Sequence, residues 1–413
     1  MPWIRVPLLL VTLLLLVTVA QADGLRLADP RVLSELRQLD RPVPPATHFR
    51  PLPPPELPDF DTLVRQAPDV TFLRTFAEYE TNAGILMRWR PGVFNTELAS
   101  MIVPITTGDS RAIVYLVVRP GGSDQQHAES WLGSAGADLD RVAFVEAPND
   151  SVWIRDYGPR FVSADFQRVI VDHTYEGAAG RPNDNAVPGF VAGHLNEALF
   201  TIPLVHGGGN YHQFAGGEGF VTDSILDRNP GLTAAQVTDL FALYQGAEVT
   251  LLGSLPQSFD GTQHLDMWFL PVDDQTVIIN DYSNPPADSE WIPPVVVEVT
   301  ESAVAEMQAR GYTVKRIPAW RSTNPQPWGS LSHITYSNTV VLNDVVITCE
   351  YPGYDEQNLE VMNVMTSAFP ERAVIAVDCG NIIHSFGALH CVVKHIPKTE
   401  QFGARPPFYD WTR

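Results

Sequence analysis

Apolar runs of four to eight residues, divided by short polar turns, recur from Val70 to the end of the chain. Gly84 to Trp89 is one such run. Phe269–Val272 and Thr276–Asn280 flank Asp273-Asp274-Gln275, and Thr339–Leu342 and Val345–Thr348 flank Asn343-Asp344. Runs of this length and β-branched content predict strands, and the brief turns predict hairpins. Two segments instead carry helical periodicity. Thr233 to Tyr244 starts on a residue suited to an N-cap, and Glu301 to Arg310 is followed by Gly311. The chain is therefore expected to be α/β.

Polar residues interrupt the apolar pattern at a few places. These are Arg155-Asp156-Tyr157-Gly158-Pro159, His264-Leu265-Asp266, Tyr336-Ser337-Asn338 and Ala388-Leu389-His390-Cys391. Ionisable groups within strands are costly unless paired or used. Asp156, Asn210, Asp266, Asn338 and Cys391 are separated by 54, 56, 72 and 53 residues. Several are followed by strand, polar turn and strand, which suggests repeated units of about 50 residues. His264 and Asp266, two apart, would share a face of a strand, whereas His390 would point away from its neighbour Cys391. Cys391 is read on a short strand leaving the turn Ser385-Phe386-Gly387. Asp156 is read at the end of a strand stopped by Gly158-Pro159, where it serves either a turn or a neighbour such as Arg155 or Arg160.

Before Val70 the composition changes. Pro42-Val43-Pro44-Pro45 and Pro51 to Pro55 suit an extended arm, with only Arg31 to Leu39 predicted as a short helix. Further upstream, Arg5, the apolar run Pro7 to Ala20 and Ala20-Gln21-Ala22 match a secretory signal and its cleavage site. The division is thus a signal peptide over 1–22, a proline-rich arm over 23–69 and one catalytic domain over 70–413. The mature chain is expected to be secreted or periplasmic, without a membrane anchor.

Charge and cysteine usage narrow the chemistry. A formal net charge of −21 over 413 residues argues against a nucleic-acid partner, which requires a basic face. It is compatible with a cationic substrate. Three cysteines, Cys349, Cys379 and Cys391, leave at least one thiol free within the chain. Cys349 and Cys379 either bridge or sit in the core as small residues. The residues near His264 do not complete a zinc ligand set, so no metal and no cofactor is expected. Gly207-Gly208-Gly209-Asn210 lacks the lysine and hydroxyl of a phosphate loop.

Taken in order, Trp153-Ile-Arg-Asp-Tyr-Gly-Pro159, Gly208-Gly-Asn210, His264-Leu-Asp266, Tyr336-Ser-Asn338 and Leu389-His-Cys391 resemble the motifs of bacterial peptidylarginine deiminases and agmatine deiminases. The resemblance runs from about Phe76 to Pro397. It implies the guanidine-modifying superfamily, whose fold is a five-bladed, pseudo-symmetric α/β propeller (pentein). By that resemblance Cys391 is the nucleophile, His264 the acid and base, and Asp156 and Asp266 the partners of the guanidinium nitrogens. Asn338 orients groups near the thiol, and Trp153 and Arg181 contact substrate.

Gly207 stands where agmatine deiminases usually carry glutamate, and the predicted export favours a protein substrate. The expected partner is therefore an arginine-containing peptide or protein, converted to citrulline and ammonia. A small-guanidine deiminase is the enzyme alternative, and a catalytically silent binding propeller the non-enzyme one. The family enzyme that prefers C-terminal arginine carries a second arginine where this chain has Ala179, so preference for that end is expected to be weak or absent.

Overall fold

The computed structural model describes Phe60 and residues 67–323 and 332–399. The predicted signal peptide, nearly all of the arm and the helix expected over Arg31 to Leu39 lie outside those residues. Among the described residues, no helix is long and apolar enough to cross a membrane.

Five sheets repeat one order of elements: an antiparallel pair, a helical crossover, and a third strand parallel to the second. Arg160–Ala164 and Gln167–Tyr175 form the first pair, followed by helix Pro182–Leu195 and strand Leu199–His206. His212–Gln213 and Glu218–Thr222 form the second, followed by helix Ala234–Gln245 and strand Glu248–Leu252. Phe269–Asp273 pairs Thr276–Asp281, which after helix Pro294–Ala309 runs beside Thr313–Pro318. Val340–Val341 pairs Val345–Glu350, which after helix Asp355–Ala368 runs beside Ala373–Asp378. The last unit joins the two ends of the described chain. Val393–Pro397 pairs antiparallel with Asn82–Arg88, whose parallel neighbour Ile113–Val118 follows helix Asn95–Gly108.

Local chemistry accounts for these elements. Parallel neighbours need a long crossover, which each helix supplies. Helix Ala234–Gln245 begins at the expected cap: Thr233 accepts from the Gln236 backbone, and Gln236 returns a bond to Thr233, a reciprocal capping box. The helix expected over Glu301 to Arg310 begins earlier, at Pro294, where a proline lacking its N–H costs nothing. It ends before Gly311, whose φ of 91° favours glycine.

Burial explains why the strands read as apolar runs. Leu98, Met101, Ile102 and Ile105 of one helix pack over Val114 and Leu116 of the sheet beneath, all fully or almost fully buried. The open cysteine question is answered by a Cys349–Cys379 disulfide joining parallel neighbours, with Cα atoms 5.4 Å apart. Cys391 is left as the buried free thiol.

Each polar interruption of the sequence precedes the first strand of a unit. Asp156 stands before Arg160–Ala164, Asn210 before His212–Gln213, Asp266 before Phe269–Asp273, Asn338 before Val340–Val341, and Cys391 before Val393–Pro397. The repeat places these polar side chains where strands begin, not within them.

Candidate active site

The expected strand settings of three residues are corrected by that placement. Asp156 lies on a single helical turn, Ile154–Tyr157. Asp266 lies on the turn Leu265–Met267 behind extended His264, and Cys391 lies on the turn His390–Val392. His264 and Asp266 still face one space, but by a turn and not by strand alternation. For the same reason His390 does not point away from the site: its Nδ1 is 2.7 Å from Asp266 Oδ2, and Cys391 Sγ is 3.7 Å from that oxygen.

A cavity with about 240 Å³ of accessible space reaches Cys391. Its wall includes Trp153, Asp156, Arg181, His264, Phe386 and Cys391. Asp266 and Asn338 adjoin this wall through their contacts with the Cys391 sulfur. Asn338 Nδ2 lies 3.3 Å from Cys391 Sγ and 3.2 Å from the Asp266 carbonyl. Its Oδ1 accepts the His390 and Cys391 backbone N–H groups at 2.9 and 3.3 Å. One amide therefore ties the turn carrying Cys391 to the turn carrying Asp266. Gly387 lets the chain pass Trp153: a Cβ there would stand 2.6 Å from the Trp153 ring and 3.1 Å from Cys391 Cβ.

Two residues that the sequence reading did not single out complete the electrostatics. Glu176 ends the apolar strand Gln167–Tyr175, and its Oε1 lies 2.7 Å from His264 Nε2 while its other oxygen pairs with Arg228. Gly207 makes this possible, since a Cβ there would fall 2.5 Å from His264 Nε2 and 2.7 Å from Glu176 Oε1. A charged residue terminating a buried strand was the available signal for Glu176. Glu78, far upstream, contacts His390 and Arg155 and carried no comparable signal.

The protonation pattern follows from burial and these contacts. Burial pushes the Cys391 thiol well above its ordinary range, and the Asp266 and Asp156 charges push it further. Burial alone would lower the His264 imidazole, but Asp156 and Glu176 outweigh it and raise the group to about 9. Asp156 is raised to about 6, by burial first, with His264 opposing and Asp266 adding. Burial disfavours the Asp266 charge too, yet the hydrogen bond and charge of His390 hold that carboxyl below its usual range. Asp266 Oδ1 and His264 Nδ1 are buried without a hydrogen-bond partner; the latter is 3.4 Å from Asp156 Oδ1. Buried polar atoms are normally satisfied; His264 Nδ1 has the Asp156 carboxylate as an ion-pair partner, whereas Asp266 Oδ1 has no hydrogen-bond partner among the described residues.

Such a space accepts a planar cation with several N–H donors: carboxylates to hold it, a thiol beside it and an acid within reach. A model of the Porphyromonas-type peptidyl-arginine deiminase family matches residues 74–397. The chain belongs to that family. It is thus a member of a guanidine-modifying hydrolase family with a mixed α/β fold.

Relatives of this family member include two proteins provisionally named agmatine deiminases. One, from Marinomonas sp., is 22% identical over 371 residues, covering 80% of this chain and 96% of its own length. The other, from Streptomyces avermitilis, is 26% identical over 302 residues, covering 69% and 83%. Among solved structures, a provisionally named arginine deiminase from Porphyromonas gingivalis aligns with a TM-score of 0.68 at 20% identity, covering 79% of this chain and 99% of that one. The agmatine deiminase of Enterococcus faecalis aligns at 0.65 and 18%, covering 79% and 96%. At these identities the structures establish the fold alone.

One further group of possible ligand atoms exists among the described residues. Glu78, His212 and His390 each offer one within 4.8 Å of the others. Arg155 and His390 already occupy the Glu78 carboxylate.

Proposed function

We propose that the chain hydrolyses the guanidinium group of a small guanidine, of the agmatine class, to a ureido group and ammonia. The observation that carries the reading is the buried Cys391 thiol set beside two carboxylates and His264. The agmatine deiminase names of its relatives support the small substrate. The five sheets, each headed by one polar turn, are read as the blades of a pseudo-symmetric propeller with the site where those turns converge.

In this mechanism Asp156 and Asp266 receive the guanidinium N–H groups in charge-assisted hydrogen bonds. The arriving cation offsets the carboxylates that keep the Cys391 thiol protonated, and the thiol loses its proton to solvent. Sulfur then attacks the guanidinium carbon, forming a C–S bond. His264, charged at neutral pH, gives its proton to the departing nitrogen as the C–N bond breaks. Neutral His264 next removes a proton from the water that attacks the thiouronium carbon. Breaking the C–S bond returns the thiolate, and the new hydroxyl group gives up its proton to solvent as the neutral ureido product leaves. Glu176 holds the imidazole in position throughout.

A second reading, an arginyl peptide or protein as substrate, is favoured by Arg181. This cation lines the cavity and donates from Nη1 to the Tyr175 hydroxyl at 3.0 Å. It would attract a substrate carboxylate and repel the ammonium of agmatine. Export, proposed from the leader pattern, fits that reading too. Ureido formation from agmatine, free arginine, an internal-arginine peptide and a C-terminal-arginine peptide decides between them. Agmatine at the highest kcat/KM supports the first reading. The peptides in that place support the second, and no turnover of any guanidine would refute both.

A further inference from the structure

Glu78 is 312 residues from His390 in sequence, yet its Oε2 lies 2.7 Å from His390 Nε2. On the other side of the ring, Nδ1 is 2.7 Å from Asp266 Oδ2. One imidazole thus bridges two carboxylates, the second of which has its remaining oxygen, Oδ1, unpartnered. Arg155 anchors the outer end by pairing with Glu78, while its Nε donates to the His390 carbonyl at 3.2 Å. Gly209 closes the space on another side of Asp266: a Cβ there would be 3.0 Å from both carboxylate oxygens. Glu78, His390 and Asp266 are all buried or nearly so, with the Glu78 side chain 15% exposed.

We infer that Glu78 and His390 are positioning residues that pin one oxygen of Asp266 so that the other is fixed toward the guanidinium. The inference rests on the reading of Asp266 as a docking carboxylate. A free carboxylate rotates about its terminal torsion between broad wells. Rotation would exchange or hide Oδ1, and tethering Oδ2 prevents it. The tether is charge-assisted at both ends, and that class of bond is stronger than a neutral one. Glu78 acts on binding through Asp266 and does not touch the substrate.

A double-mutant cycle separates this from a merely structural role, because only residues acting through one another are non-additive. The Cys391→Ser protein supplies the background, so that binding is read without turnover. The probes are agmatine and N-acetylarginine, followed by calorimetry.

In that background Glu78→Gln, which keeps shape and removes charge, is expected to weaken the better-binding probe by about tenfold. In Cys391→Ser/Asp266→Asn the same change is expected to cost less than twofold. If Glu78→Gln fails to fold, as judged by its melting transition, His390→Asn runs the same cycle, since its amide can reach Asp266 but not Glu78. Equal loss in both backgrounds, or no loss in either, overturns the inference while leaving the docking reading intact. Unchanged binding on Asp266→Asn alone, or no binding of either probe to the background protein, overturns the docking reading and the inference with it.

Discussion

Burial and two neighbouring carboxylates keep the resting Cys391 sulfur protonated at neutral pH. Iodoacetamide, which brings no charge to the site, should therefore alkylate Cys391 at pH 8 at least about tenfold more slowly than an exposed thiol of ordinary pKa. An equal rate would mean that the free site already holds thiolate. Asp156, raised to about 6, should lose its grip on a cation as pH falls through that value. Agmatine binding to Cys391→Ser should weaken between pH 7 and 5, and calorimetry across that range checks it. His264 acts on stability in the opposite sense. Its pKa is higher folded than unfolded, so its contribution is complete below about 6.5 and lost as pH rises through about 9. The denaturation midpoint of wild type should approach that of His264→Gln over this interval; a gap widening with pH would contradict the assignment.

At the scale of elements, single turns too short to show a period hold the clustered polar residues. That is why strand periodicity located the polar clusters but assigned Asp156, Asp266 and Cys391 to the wrong local structure. The hairpins at Asp273–Gln275 and Asn343-Asp344 were legible because apolar alternation and turn residues agree there. Glu78 was not, since it meets His390 through a contact that only the fold creates.

The disulfide is a second such contact, fastening Cys349 to the residue that begins the path to Phe386 and Cys391. Its removal should act on stability more than on chemistry. Cys349→Ala/Cys379→Ala should lose about 2–4 kcal/mol of unfolding free energy and retain most of its kcat at 25 °C. Urea melts and initial rates measure the two separately. A several-thousandfold loss of kcat in a folded variant would mean that the tether sets the site itself.

For the whole molecule, distant turns meet around one cavity, and closure of the last unit by Val393–Pro397 against Asn82–Arg88 accompanies the contact between Glu78 and His390, the neighbour of Cys391. Substrate class is the property read at this scale, because Arg181 puts a guanidinium on the same wall as the Asp156 carboxylate. Arg181→Ala should raise kcat/KM for agmatine and lower it for a C-terminal-arginine peptide, each by roughly three- to tenfold for one partly buried charge. Changes of the same sign would show that Arg181 does not read the substrate tail.

The proposed chemistry requires a covalent bond between Cys391 and the guanidine carbon. Intact-mass and peptide mass spectrometry of enzyme quenched in acid during turnover tests it most directly. An adduct of substrate less ammonia is expected on the peptide containing Cys391, with neither adduct nor turnover in Cys391→Ala. Continued turnover by Cys391→Ala would contradict it.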